Sequence, residues 1–402
     1  MKFLVWSAAA LLLLLASCTQ GTSGIFASVE REKRVTSTGG LSSDATVTHM
    51  AQFSVMVGSV ATSTYFIAGG GALFHRTYTE TDWHSQTINF NGHVYNHFMG
   101  VGLVDDGTTP TLYAIANYDS TSSNKLFRST DGTTWNVVPL LSTQAAGTLV
   151  AVHEDNGFAS KRLLLNVSQA NPGDDPTYQY VYVISTGGAV DLTTATAVSL
   201  GSTPYTFPVT GATYDSNQSL YYFVNAFVLF ESNGSTATAV TGGIVNSNTD
   251  FQDVMVLNPA LDGTNNAIIS SQRGALYWGV LSGISWTDGA SHTNLIDSSS
   301  DRIRFGQMIY ESLAGNQRVW IGTLNGVTAA GAGFASLTNT WGYSVQPPSG
   351  TDTDNYNSTV LPTSQILMFY KDTANPPNNY FAGTASEGLW KWSPTDQTWS
   401  QE

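Results

Sequence analysis

Seven short runs rich in Tyr, Phe, Leu, Val, Ile and Trp recur along the chain, and they constrain its fold more than any other feature. They are "TYFIAGGGALFHR" from Thr64, "TLYAIANY" from Thr111, "RLLLNVS" from Arg162, "SLYYFVNA" from Ser219, "NAIISSQRGALYWG" from Asn266, "RVWIGTLNGV" from Arg318 and "NYFAGTASEGLWKW" from Asn379. Each is bounded by Gly, Asn, Asp or Ser, the residues that end strands and make turns. Their spacing, about 45–60 residues, is that of a repeated four-stranded unit. Each run reads as an inner strand that ends in small residues, then a turn, then a strand with a Leu and an aromatic. Apolar residues at i, i+3, i+4 and i+7 are almost absent, so helices are not expected. With 42% hydrophobic residues the chain can bury a large core.

The stretch "LFRSTDGTTW", from Leu126 to Trp135, places a turn between two such strands. "KLFRS" reads as a third strand and "TWNVV" as a fourth. A Ser or Asp side chain can bond the backbone of its own turn, and Gly tolerates positive φ. Ser129, Asp131, Gly132, Thr134 and Trp135 resemble the Asp-box, or bacterial neuraminidase repeat, in a form one residue shorter than S-x-D-x-G-x-T-W. A weaker copy near the C-terminus uses Ser393, Asp396, Thr398 and Trp399, with the Asp shifted by one. More degenerate relatives end at Asp82-Trp83 and Thr340-Trp341.

The resemblance implies an all-β chain folded as a single β-propeller. Seven four-stranded blades account for its length, with six or eight left open because the third and sixth repeats are long. It also implies a structural role for the turn, away from any active site, with its Trp in the seam between blades. A propeller must close its ring to hide its edges. The alternating segment Ile25–Val35 is the candidate closing strand.

The N-terminus gives an address. Lys2 is a minimal positive region, and Phe3–Leu15 is an apolar run of thirteen residues. That is short of the about 20 needed to span a bilayer and fits a signal peptide. Leu15-Ala16-Ser17-Cys18 resembles the bacterial lipobox. Cys18 is the sole cysteine, which excludes an intrachain disulfide and favours its lipidation. Two or more acyl chains anchor stably where one does not. The expected organisation is a lipoprotein signal peptide over 1–17, a lipidated tether over 18–24 and the propeller domain over 25–402. Thr19 after the Cys permits outer-membrane sorting, so the envelope's outer membrane or the cell surface is the expected location.

Charge narrows the partners. Formal net charge is −14 and only 11% of residues are charged, which disfavours nucleic acid and anionic headgroups. Arg31, Lys33 and Arg34 alternate with Glu30 and Glu32 and read as a solvated face. The expected partners are the membrane, through the lipid on Cys18, and a protein or glycan ligand.

Catalytic and metal signals are weak. The sialidases that share Asp-box propellers use three Arg, a Tyr–Glu pair, an Asp acid/base and an early F/Y-R-I-P motif. Here "RIRFG", Arg302–Gly306, comes late and lacks the Pro. Other Arg are available, such as Arg76, Arg128 and Arg273, but Arg76 and Arg128 read as repeat-position surface residues. No catalytic residue is assigned, and the chain reads as a binding or scaffolding module, with a sialidase-like glycoside hydrolase or an envelope assembly factor as alternatives. His93 and His97 would share one strand face but lack a third metal ligand. Asp105-Asp106-Gly107, Asp174-Asp175, Asp352 and Asp354 are loop carboxylates that suit Ca²⁺ at most, without EF-hand spacing. No cofactor is expected. "GGGALF" from Gly69 reads as a strand-to-strand turn and not as a phosphate loop.

Overall fold

The computed structural model describes residues 40–57, 60–119, 123–154, 162–169, 178–187, 190–198, 207–242, 250–256, 266–271, 275–282, 284–288, 293–294, 305–313, 316–323, 332–337, 343–344, 365–372, 379–393 and 398–402. The signal peptide, Cys18, the tether, the Arg31–Arg34 cluster and the Ile25–Val35 strand therefore lie outside the described residues. So do Asp174, Asp175, Arg273, Arg302, Thr340, Trp341, Asp352, Asp354 and Asp396.

Every element among the described residues is a strand or a turn, as expected of an all-β chain. The first sheet is β1 (Val47–Val57), β2 (Val60–Gly69), β3 (Ala72–Thr77) and β4 (His84–Gln86), followed by a small hairpin of β5 (Ile88–Phe90) and β6 (His93–Tyr95). The second is β7 (His97–Val104), β8 (Thr111–Asn117), β9 (Lys125–Ser129) and β10 (Asn136–Val138). The third unit is β11 (Gln144–Glu154), β12 (Leu163–Gln169) and β13 (Tyr178–Ile184). The fourth is β14 (Val209–Asp215), β15 (Leu220–Asn225), β16 (Leu229–Ser232) and β17 (Ala237–Ala239). The fifth is β18 (Phe251–Val256), β19 (Asn266–Ser271), β20 (Ala275–Ser282) and β21 (Ser285–Asp288), with β22 (Thr293–Asn294) also on β20. The sixth is β23 (Phe305–Leu313), β24 (Asn316–Thr323), β25 (Ala332–Leu337) and β26 (Tyr343–Ser344). The seventh is β27 (Ile366–Asp372), β28 (Asn379–Thr384), β29 (Leu389–Ser393) and β30 (Thr398–Gln401). Within each unit neighbouring strands are antiparallel.

The first strands of successive units touch one another in order, β1 to β7, β11, β14, β18, β23 and β27, and β27 touches β1. They therefore surround an axis, and the units radiate from it as a β-propeller. Third and fourth units are fused where β11 and β14 pair in parallel, Val152 opposite Ala212 and Glu154 opposite Tyr214. The apolar runs are the second strands of the units, not the innermost ones. The reason is burial. β8 is buried at Thr111–Ala116 without alternation, because sheets lie against both of its faces. A strand covered on both sides reads as a continuous apolar run.

The core is divided among the seams between units. Phe66 and Leu73 of the first unit pack with Phe98, Leu112 and Phe127 of the second. Tyr113 and Leu126 meet Leu149 and Leu165. Tyr222 and Leu229 meet Phe251 and Ile269, and Trp320 meets Tyr380 and Trp392. The third unit departs from four strands. Its fourth place holds the segment 190–198, whose Leu192 and Val198 are buried and whose Val198 N–H donates to Val181 O on β13. Asp191 Oδ1 accepts the Thr193 N–H and hydroxyl, a local turn that competes with strand pairing.

First and last units meet without exchanging a described strand. All four strands of the seventh unit come from residues 366–401. The seam is packed by Val47, Ile67 and Trp83 against Met368, Phe381 and Leu389. The Gly388 N–H donates to Ala45 O, the Thr46 hydroxyl to Ala385 O and Gln401 Nε2 to Ser43 O.

Candidate functional site

The innermost strands share one irregularity that places side chains on the axis. In all seven units the pairing of first and second strand slips near the start, between Val47 and His49, Phe98 and Gly100, Ala146 and Leu149, Val209 and Gly211, Phe251 and Asp253, Phe305 and Met308, and Ile366 and Met368. A β-bulge leaves an extra residue unpaired and re-aims it. The residues so placed are Thr48, Met99, Thr148, Thr210, Gln252, Gln307 and Leu367. All but Met99 line a cavity of about 410 Å³ on the axis. Its wall continues along the same strands through Leu149 to His153, Val101 to Leu103, and Met368 to Lys371. The wall is mainly apolar, and none of its described side chains is a carboxylate.

The bulge residues also tie the units together. Thr210 donates to Phe251 O of the next unit at 3.1 Å, and Gln307 Nε2 donates to Thr210 O at 3.3 Å across two units. Asn166 donates to Thr148 Oγ1 at 2.7 Å and to Val209 O at 2.9 Å.

Two histidines stand on the wall. His49 reaches from β1 across the second unit, and its Nε2 donates to Leu149 O on β11 at 2.9 Å. Its Nδ1 then accepts from the Thr48 hydroxyl at 2.9 Å. Gly100 makes the crossing possible, since a Cβ there would lie 3.1 Å from His49 Cε1. Burial pushes the His49 pKa down, against the pull of the Leu149 carbonyl. His153 is different. Its Nε2 donates to Asp253 Oδ2 at 2.9 Å, and Nδ1 has no hydrogen-bond partner among the described residues. Asp253 is fully buried behind the ring and accepts the Val254 and Met308 N–H groups at 2.9 and 2.8 Å. Gly211 makes room for it, because a Cβ there would lie 2.4 Å from Asp253 Oδ1. Burial lowers the His153 pKa, but the charge and hydrogen bond of Asp253 outweigh it and the net shift is upward.

An axial cavity ringed by first strands places this chain among known folds. The solved structures it resembles are β-propellers. YCF48 from Cyanidioschyzon merolae superposes with a TM-score of 0.52 at 12% identity, over 88% of this chain and 97% of that one. YCF48 bound to D1 peptide gives 0.51 at 10% identity, over 88% and 93%. An ancestral GH74 enzyme gives 0.52 at 10% identity over 90% of this chain, which spans 47% of that enzyme. No family model and no curated protein matches the sequence.

The sequence-expected residues lie elsewhere. Ser129 to Trp135 form the β9–β10 turn at the outer edge of the second unit. The Ser129 hydroxyl donates to Asp131 Oδ1 at 3.0 Å and its Oγ accepts the Gly132 N–H at 2.9 Å. Asp131 Oδ1 accepts the Thr133 and Thr134 N–H groups at 2.8 and 2.6 Å. These bonds hold its carboxyl well below the usual range, against burial. Gly132 has φ 75°, and its carbonyl accepts from Gln86 Nε2 of the first unit. Trp135 is buried in the seam between first and second units. In the weaker copy, Ser393 pairs with Thr398, and Trp399 packs with Trp320 and Trp392.

Two expectations need correction. Arg76 is not a surface residue. It is 6% exposed, bonded to Glu402 Oε2 at 2.5 Å and stacked on Trp83 at 4.7 Å. Glu402 meets its charge, and that makes burial tolerable. His93 and His97 do not share a strand, since β6 ends at Tyr95 and β7 begins at His97. His93 stacks on Tyr118 at 4.2 Å. Among the described residues no His, Cys, Asp or Glu groups form a metal site. Asp106 instead braces its loop, accepting from Thr108 and Thr109 and, through Oδ2, from Gly187 N–H at 2.9 Å. Gly70 and Gly71 form the β2–β3 turn at φ 56° and 78°, as the sequence indicated. The ring of bulge residues and the His153–Asp253 pair had no local signal, because each depends on pairing across strands or units.

Proposed function

We propose that the chain is a lipid-anchored bacterial envelope protein whose seven-bladed propeller binds a polypeptide segment in its axial cavity and does not cleave its ligand. The observation that carries this reading is the axial wall itself. Six of the seven bulges aim side chains at one cavity of about 410 Å³, mainly apolar and without a described carboxylate pair. Glycoside hydrolysis works through a pair of carboxyl groups flanking the bond. A concave apolar site with a few placed polar groups is the ordinary form of a binding pocket. That a propeller of like fold is bound to a peptide, YCF48 with D1 peptide, supports a polypeptide ligand over a glycan. In this reading Cys18 carries the anchor at the outer membrane or cell surface, and the Ser129–Trp135 turn is an Asp-box with a purely structural task.

The test is a photo-crosslinking amino acid placed in cells at Gln307, on the axial ring, and at Thr133, in the outer turn. A discrete polypeptide adduct from position 307 and none from 133 is expected. No adduct at 307, or turnover of a chromogenic glycoside by the purified chain, would overturn the reading. Anchoring is checked apart from this, by loss of palmitate labelling in Cys18→Ser. Protease shaving of intact cells reads which way the protein faces.

A further inference from the structure

Among the described residues the wall of the axial cavity carries no anion. Asp253 has its needs met by His153 Nε2 and by the N–H groups of Val254 and Met308. Because it holds a proton on Nε2, the second ring nitrogen is left to the cavity, on a side chain 17% exposed. Other polar groups of the wall already have partners. His49 uses both nitrogens, and the Thr210 hydroxyl and the Gln252 and Gln307 amides all donate to main-chain carbonyls.

We infer that His153 Nδ1 is the anchor for a carboxylate carried next to an apolar group of the ligand. This rests on the reading of the axial cavity as the polypeptide site. The carboxylate is then a chain end or an acidic side chain. With both ring nitrogens protonated, the His153–Asp253 pair is neutral and presents an N–H donor at the apolar wall. A ligand carboxylate there gains a charge-assisted bond of the stronger kind. The other charged or titratable groups near His153 are accounted for. Glu154 is bonded to Arg162 at 2.6 Å, and burial pushes the His49 pKa down. Lys371 lies over the Tyr380 ring at 5.6 Å, and the facing stretches of β7 and β23 that line the cavity carry no ionisable side chain. A bound carboxylate favours the imidazolium, so affinity falls as pH rises through the His153 pKa.

Three probes test this on the purified mature chain, with the His153 ring followed by nitrogen-15 NMR. N-acetyl-leucine presents a chain-end carboxylate, N-acetyl-leucinamide none, and N-acetyl-glutamyl-leucinamide a side-chain one. At pH 6 one of the two carboxylate probes should bind at least about tenfold tighter than the amide and raise the His153 pKa by about one unit, the same free energy read twice. Which probe does so separates the two sources. The preference should vanish in His153→Gln, with binding of the amide kept. Equal binding of all three, or no response of His153 while position 307 still crosslinks, would overturn the carboxylate anchor and leave the binding role standing. Loss of the crosslink as well would remove the site itself.

Discussion

His49 and His153 face one cavity and titrate in opposite directions, and the sign of each follows from its partner. His49 is buried with a carbonyl and a hydroxyl, so its folded pKa lies below the unfolded value of about 6.5. Above pH 6.5 it has no effect. Below it the unfolded chain takes the proton first, and stability falls toward the folded pKa. His153 is held as a cation by Asp253, so its stabilisation is complete below pH 6.5 and is lost as pH rises through its raised folded value. His75, depressed by burial and by His84, adds to the acid side. The unfolding temperature is expected to peak near pH 6.5. His153→Gln should flatten the alkaline limb and His49→Gln should lessen the acid limb. Thermal unfolding from pH 5 to 9 reads both. A wild-type profile without an alkaline limb would contradict the His153 assignment.

At the scale of elements, turns and bulges are held by short-range chemistry whose loss should be local. Asp131 accepts two N–H groups and a hydroxyl within its own turn. Asp131→Ala should cost about 1–2 kcal/mol, read as a lower urea midpoint with an unchanged slope. Asp131→Asn, which keeps an acceptor, should cost less. Close approach between units is set by glycines on the strands. A Cβ on Gly383 would lie 2.5 Å from Val47 O, a backbone atom that cannot turn aside. Gly383→Ala should therefore destabilise the seam between last and first units by about 1–3 kcal/mol, the usual cost of overpacking. Gly71→Ala at the exposed β2–β3 turn meets nothing within 4 Å but sits at φ 78°, so its cost comes from backbone strain alone. Comparing the two denaturation midpoints separates crowding from strain.

Over the whole molecule, the seam where the chain's first and last described units meet carries a buried ion pair. Arg76 and Glu402 are 7% and 12% exposed in their side chains, and Trp83 covers the guanidinium. Removing one partner of such a pair leaves a buried charge unmet, at about 3 kcal/mol or more. Deleting Glu402 or making Glu402→Ala should thus open this seam before the others. The expected signature is faster hydrogen exchange at Val47–Ala51 and Met368–Phe369 than at Val254–Val256. Uniform exchange would mean the pair carries no closing role. Replacing both partners, Arg76→Met with Glu402→Leu, should restore most of the loss.

The sequence by itself determined the all-β class, the repeat, and the turns at Ser129–Trp135 and Gly70–Gly71, because each is written in neighbouring residues. It marked the second strands, Thr111–Asn117 among them, because sheets on both faces demand an unbroken apolar run. It did not mark the innermost strands. Their bulge positions carry Thr, Gln, Met or Leu, and their role appears only when the register with the next strand is known. Only the tertiary structure brought His153 to Asp253 and Arg76 to Glu402. Each is a contact between residues far apart in the chain. Its charge is tolerable in the interior solely because folding places the partner there.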